Sequence, residues 1–132
     1  MGIPVIRLER ELPASPEAAR EARLALGEFA GHVPTRHFDD LRLLVTELVT
    51  NSLRHARLGA GDVIHLVVQV RPKTLRVEVR DPGTGFEAPA GTRGRIEGEG
   101  WGLYLLSRIA DRWGISARPS TCVWFEMDIE NP

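Results

Sequence analysis

The sequence predicts an α+β fold: a two-layer α/β sandwich with helices on one face of a mixed, mainly antiparallel sheet. Three observations carry that expectation. Two alternating runs, at residues 63–70 (VIHLVVQV) and 75–80 (LRVEVR), flank Arg71-Pro72-Lys73-Thr74, the period-2 pattern and short turn of an antiparallel hairpin. Leu41, Leu44, Val45, Leu48 and Val49 recur at helical spacing and give one helix a buried stripe. The elements follow the order β-αα-ββ-loop-α-ββ rather than a strict alternation, which gathers the helices on one side of the sheet.

In chain order, residues 3–10 (IPVIRLER) alternate loosely and read as a first strand. Ser15-Pro16-Glu17 is a helix start, with Ser as cap, Pro at the first helical position and an acid near the positive end. That helix is expected to reach about Gly31. A second runs from about Phe38 to Arg57, with Asp39 and Asp40 in its first turn and Ser52 on its buried face, and Gly59-Ala60-Gly61-Asp62 ends it. The hairpin follows. From Pro82 to Gly100 the chain holds six Gly and two Pro, and loops of this length without structure of their own are usually functional. Residues 102–113 are predicted as a third helix closed by Gly114, and strands near 115–118 and 121–129 complete the fold.

Composition narrows the function. The 132 residues suit one domain, 1–132. Apolar content of 42% and charged content of 27% are those of an ordinary globular chain. A net charge of -1, without a basic stripe, argues against direct nucleic-acid binding. Cys122 is the only Cys, so no intramolecular disulfide can form, and it reads as a small buried apolar residue. His32, His37 and His65 lie apart without ligand spacing, and Trp113 and Trp124 sit in apolar patterns as core. No leader-like segment and no stretch of roughly 20 apolar residues is visible. No membrane contact and a cytoplasmic location are therefore expected.

Three segments carry chemistry. Glu47 and Asn51, four apart, share one face of the second helix, and Arg54 and His55 continue that stripe. Thr46, Thr50, Asn51 and Ser52 crowd the same segment although such side chains compete for backbone hydrogen bonds in a helix. The spacing suits a solvated polar face; it equally suits a carboxylate beside a neutral oxygen ligand for hydrated magnesium. Asp81-Pro82-Gly83-Thr84-Gly85-Phe86 follows a strand, and its glycines allow either a plain turn or close backbone approach to a flat or anionic ligand. Gly98-Glu99-Gly100-Trp101-Gly102-Leu103 opens the last helix, as a flexible loop end or as N–H groups and a dipole offered to phosphate.

In this order, Glu47-Leu48-Val49-Thr50-Asn51 with His55-Ala56, then Asp81-x-Gly83-x-Gly85-Phe86, then Gly100-x-Gly102-Leu103, resemble the three ATP-binding boxes of the GHKL (Bergerat-type) fold. That superfamily includes gyrase, heat-shock chaperones, histidine kinases and mismatch-repair ATPases. The resemblance spans about Leu41 to Phe125. It implies ATP and Mg²⁺, with Asn51 coordinating the metal and Glu47 as general base. Asp81 would accept from the adenine amino group, Gly83, Gly85 and Phe86 would shape the base pocket, and Gly100, Gly102 and Leu103 would bring backbone N–H groups to the phosphates. Arg54 falls with the nucleotide-binding residues. Trp101 would lie over the nucleotide or against the lid. Thr121 looks like the family hydroxyl that supports the adenine contact, with Ser120 where the family often has Gly. Arg93 and Arg95 in the lid are either solvated or donors to a γ-phosphate.

A chain of this size, with ELVTN…HA and DPGTGF, is similar to bacterial anti-sigma-factor serine kinases. That likeness implies a sigma factor and a STAS-type anti-anti-sigma protein as partners, the latter phosphorylated on Ser. A homodimer is expected from the family and is not legible in the residues. Two other readings stand beside it: a non-catalytic, nucleotide-gated protein-binding regulator with the same ATP site, and a plain interaction domain without nucleotide.

Overall fold

The computed structural model of the chain describes residues 5–55, 58–59, 61–83, 101–116 and 120–130. Strand β1 (Ile6–Pro13) leads into helix α1 (Ala18–Leu26), a short 3-10 turn at Gly27–Phe29 and helix α2 (Thr35–His55). Strands β2 (Val63–Val70) and β3 (Thr74–Asp81), helix α3 (Trp101–Ile109), and strands β4 (Arg112–Ser116) and β5 (Thr121–Asp128) follow. The strands lie in the order β1-β2-β3-β5-β4. Where a mixed sheet was expected, every pairing is antiparallel.

Alternation sorts the two faces. Leu75, Val77 and Val79 of β3 and Ile64, Leu66, Val68 and Val70 of β2 point inward and are buried. They meet Leu41, Leu44, Val45, Leu48 and Val49 of α2 and Ala18, Ala22 and Leu26 of α1 in one core. The turn between β2 and β3 closes with the Arg71 N–H donating to the Thr74 carbonyl at 2.8 Å. Before β2, Gly61 takes φ 90, a conformation that costs a residue with a Cβ. The Asp62 carboxylate there accepts the Gly59 N–H at 2.7 Å.

Four expectations need correction. Glu17, not Ser15, is the cap residue of α1 and makes no side-chain capping bond; the Ser15 hydroxyl donates to the Glu17 carboxylate instead, at 2.7 Å. Helix α3 stops at Ile109, and Arg112-Trp113-Gly114 belong to β4, because their backbones pair with Glu126, Phe125 and Trp124. Trp113 is 37% exposed at the sheet edge rather than core. Trp124 and Cys122 point to the outer face of β5 and are half-buried.

That outer face is a ladder of charges. Arg76 on β3 bonds Glu126 on β5 at 2.9 Å, and Arg112 on β4 bonds the other oxygen of Glu126 at 2.8 Å. Arg112 also reaches Asp128, and Glu78 is held by Arg76 and Arg80. Trp124 lies between Gly114, whose missing Cβ makes room for the indole, and the Arg76 guanidinium 4.6 Å from its ring centre. No helix among the described residues is long and apolar enough to cross a membrane.

Candidate functional site

Helix α2 supplies the first half of the site. Glu47 and Asn51 are half-buried, one turn apart, while their neighbours Leu48 and Val49 anchor the helix in the core. The first turn of α3 packs directly across them. A Cβ on Gly102 would run into the Asn51 amide nitrogen and stand 3.5 Å from the Glu47 Cβ. Only glycine permits that approach. Leu103 is 4% exposed, and its side chain fixes the start of α3 in the core. The end of α3 that lies beside Asn51 is therefore its N-terminus, whose N–H groups have no partner within the helix and where the helix dipole is positive.

The second half sits where β3 ends. Asp81 occupies an inward position of the strand and is 4% exposed; with Thr121 it is one of two buried polar residues among those described. Its Oδ1 accepts the Gly83 N–H at 2.8 Å. Thr121 opposes Asp81 in the β3–β5 register, and its N–H and hydroxyl both donate to the Gly83 carbonyl, at 3.2 and 2.9 Å. Ser52, from α2, lies close enough to the Asp81 carboxylate to act on it. Burial pushes the Asp81 carboxyl above its ordinary range, and the hydrogen bonds from Ser52 and Gly83 oppose that rise without cancelling it.

The two halves share α2: Asn51 faces α3, and Ser52, about 100° further round the helix, faces β3. The structure thus brings together Glu47, Asn51 and Gly102, and separately Asp81, Gly83 and Thr121. Arg54 lies exposed one turn beyond Asn51. Leu103 has only its backbone to offer a ligand. Gly85, Phe86, Gly100, Arg93 and Arg95 lie outside the described residues, as do the side chains of Trp101 and His55. Ser52 was not expected as a site residue, and the crowding of hydroxyl and amide side chains around Asn51 was the signal for it.

The donor set can be tested against a magnesium nucleotide. No three His, Cys, Asp or Glu side chains converge on a metal position among the described residues. A divalent ion would be held by Asn51 together with phosphate oxygens, the usual arrangement for magnesium. Asp81 is a buried carboxylate with acceptor capacity left over, which fits an amino group on a flat base. The residues fit the group.

Residues 12–127 match the histidine kinase-like ATPase domain family. The chain belongs to that family. The anti-sigma F factor of Clostridium acetobutylicum is 31% identical over 83 residues, 61% of this chain and 58% of that protein. A serine-protein kinase RsbW of Listeria innocua is 33% identical over 84 residues, 61% of this chain and 54% of the relative. The RsbW of Oceanobacillus iheyensis is 27% identical over 118 residues, 79% of this chain and 75% of that protein. The chain thus covers somewhat over half the length of the first two relatives. Among solved structures, the RsbU and RsbW domains of Rv1364c from Mycobacterium tuberculosis superpose with a TM-score of 0.74 at 19% identity, covering 96% of this chain and 33% of that one. The histidine kinase domain of a blue-light-activated kinase from Erythrobacter litoralis EL346 gives 0.60 at 21%, covering 89% and 61%. These two likenesses establish the fold of the ATPase domain.

Proposed function

We propose that this chain is an ATP- and Mg²⁺-dependent serine/threonine protein kinase of the anti-sigma type. On this reading it holds a sigma factor and phosphorylates a Ser on a STAS-type anti-anti-sigma protein, as a single cytoplasmic domain, 1–132, that pairs with a second copy. The observation that carries it is the wedge of Gly102 against Asn51 and Glu47, in a chain whose relatives are named serine-protein kinase and anti-sigma F factor.

Asp81 accepts the adenine amino group, with Gly83, Gly85 and Phe86 around the base and Thr121 holding Gly83 in place. Gly100, with Trp101, Gly102 and Leu103 of the first turn of α3, serves the phosphates, and Arg54 on α2 joins them. Magnesium, held by Asn51 and the phosphates, supplies counter-charge when bound. Phosphoryl transfer asks chiefly for positioning and charge neutralisation. Glu47 orients the incoming serine hydroxyl and takes its proton as the new O–P bond forms and ADP leaves.

The test is phosphotransfer from γ-labelled ATP to proteins in a lysate of the native organism, beside a Glu47→Ala control. Glu47→Ala is expected to retain ATP affinity and lose labelling of a discrete acceptor. Equal loss of both would remove Glu47 from catalysis. ATP binding with no Glu47-dependent label, in a lysate shown to contain the partner, would favour the nucleotide-gated binder.

A further inference from the structure

A groove of about 1120 Å³ opens at the pole of the molecule away from Asn51 and Asp81. Three stretches wall it: the entry to α2 with Pro34 and Arg36, the β2–β3 turn with Pro72 and Lys73, and the end of β5 with Asp128 and Glu130. Arg36 and Asn51 stand near opposite ends of α2, about 22 Å apart along its axis. Backbone hydrogen bonds hold each wall. The Phe38 N–H donates to the Pro34 carbonyl at 2.9 Å, the Arg71 N–H to Thr74 at 2.8 Å and the Ile129 N–H to Lys73 at 3.0 Å.

On the sheet, Arg7, Arg76, Arg80 and Arg112 each hold a carboxylate. In the groove that balance is reversed. Arg36 and Lys73, with Arg71 beside them on the turn, are exposed and make no ion pair among the described residues. Asp128 is already taken by Arg112 at 2.6 Å, which leaves Glu130 as the one lining carboxylate without a cation among the described residues. Pro34 and Pro72, both half-buried, add apolar surface with fixed backbone angles between the charges. Unengaged positive charge beside rigid apolar surface suits a ligand that carries carboxylates and apolar side chains together. We propose that this groove docks an acidic segment of a protein partner, its carboxylates against Arg36 and Lys73 and an apolar side chain between Pro34 and Pro72. The inference stands apart from the ATP-site reading, since no residue of the groove belongs to that site.

The experiment titrates the full chain into a fluorescein-labelled hexapeptide of four glutamates and two leucines, followed by fluorescence anisotropy. The same peptide with glutamines for glutamates is run beside it. The glutamate peptide should bind roughly tenfold more tightly, and added salt should shrink that difference. Arg36→Glu combined with Lys73→Glu should lower its affinity by roughly tenfold. Arg20→Glu combined with Arg108→Glu, exposed cations on α1 and α3, makes the same change in net charge and should leave the affinity within about twofold. Equal affinities for the two peptides overturn the proposal. So does an equal loss in both double variants, which would assign the binding to net charge alone. Displacement of the peptide by ATP with Mg²⁺ would place it at the nucleotide site and overturn the groove as well.

Discussion

Strand β3 carries two carboxylates three residues apart that the fold treats in opposite ways. Glu78 faces outward; burial pushes its carboxyl up, but hydrogen bonds from Arg80 and Arg76 outweigh that and hold it below the usual range. Asp81 faces inward, and there burial wins. Glu126, opposite Arg76 on β5, follows Glu78, held down by Arg112 and then Arg76. The outer face is thus a set of satisfied ion pairs, while the inner end of the same strand keeps a carboxylate without a counter-ion among the described residues. A buried ionisable group left in that condition is a marker of function more than of stability.

The comparison is broken most severely by Asp81→Asn. Losing the carboxylate should cost adenine-nucleotide affinity about 2 to 3 kcal/mol, with folding stability unchanged or raised because a buried charge is gone. Unchanged ATP affinity in calorimetry would take Asp81 out of the base pocket. Next comes Gly102→Ala. The obstructing atom is the end of the flexible Asn51 side chain, so the chain should fold, with Asn51 displaced and magnesium-dependent ATP affinity lowered by about 2 kcal/mol. A loss of melting temperature with affinity intact would contradict that assignment.

Gly114→Ala is the counterpart on the outer face. Its Cβ would meet the rigid indole of Trp124 at 2.7 Å, forcing the ring out of its place beneath Arg76. Denaturant unfolding should show a loss of about 1 to 2 kcal/mol, with ATP affinity unmoved. The smallest expected effect is the order of events on acidification. Asp81 has a folded pKa above its unfolded one, so protons bind the folded state preferentially; folding gains as pH falls, while the acceptor that adenine needs is lost. Glu78 and Glu126 have depressed folded pKa values, so their stabilisation is present above about 4.3 and disappears as pH falls through the lower folded values. ATP binding should therefore weaken at a higher pH than the one at which stability declines. Coincident transitions in binding and circular dichroism would contradict the opposite shifts.

Much of this was legible beforehand, for local reasons. The hairpin of β2 and β3 follows from strict alternation, and the buried stripe of α2 from 3.6-residue spacing, because side-chain periodicity is a property of the backbone alone. The family boxes likewise placed Glu47, Asn51, Asp81 and Gly102 in candidate roles, and the structure then brought Glu47 and Asn51 against Gly102. The stretch from Arg112 to Gly114 was misjudged. Its residues suit a helix end as well as a strand, and the choice lies with Glu126, Phe125 and Trp124, which pair with them from β5.

The sequence by itself thus determined the fold class, the α2 stripe and the likeness of three segments to the family's boxes, since each depends on neighbours within a turn or a strand. Tertiary structure decided the rest. It set Trp124 on Gly114, joined Thr121 to Gly83 across the sheet, and brought the first turn of α3 against Asn51. Those contacts join residues tens of positions apart, and burial, hydrogen bonding and charge are fixed only when the chain brings them together.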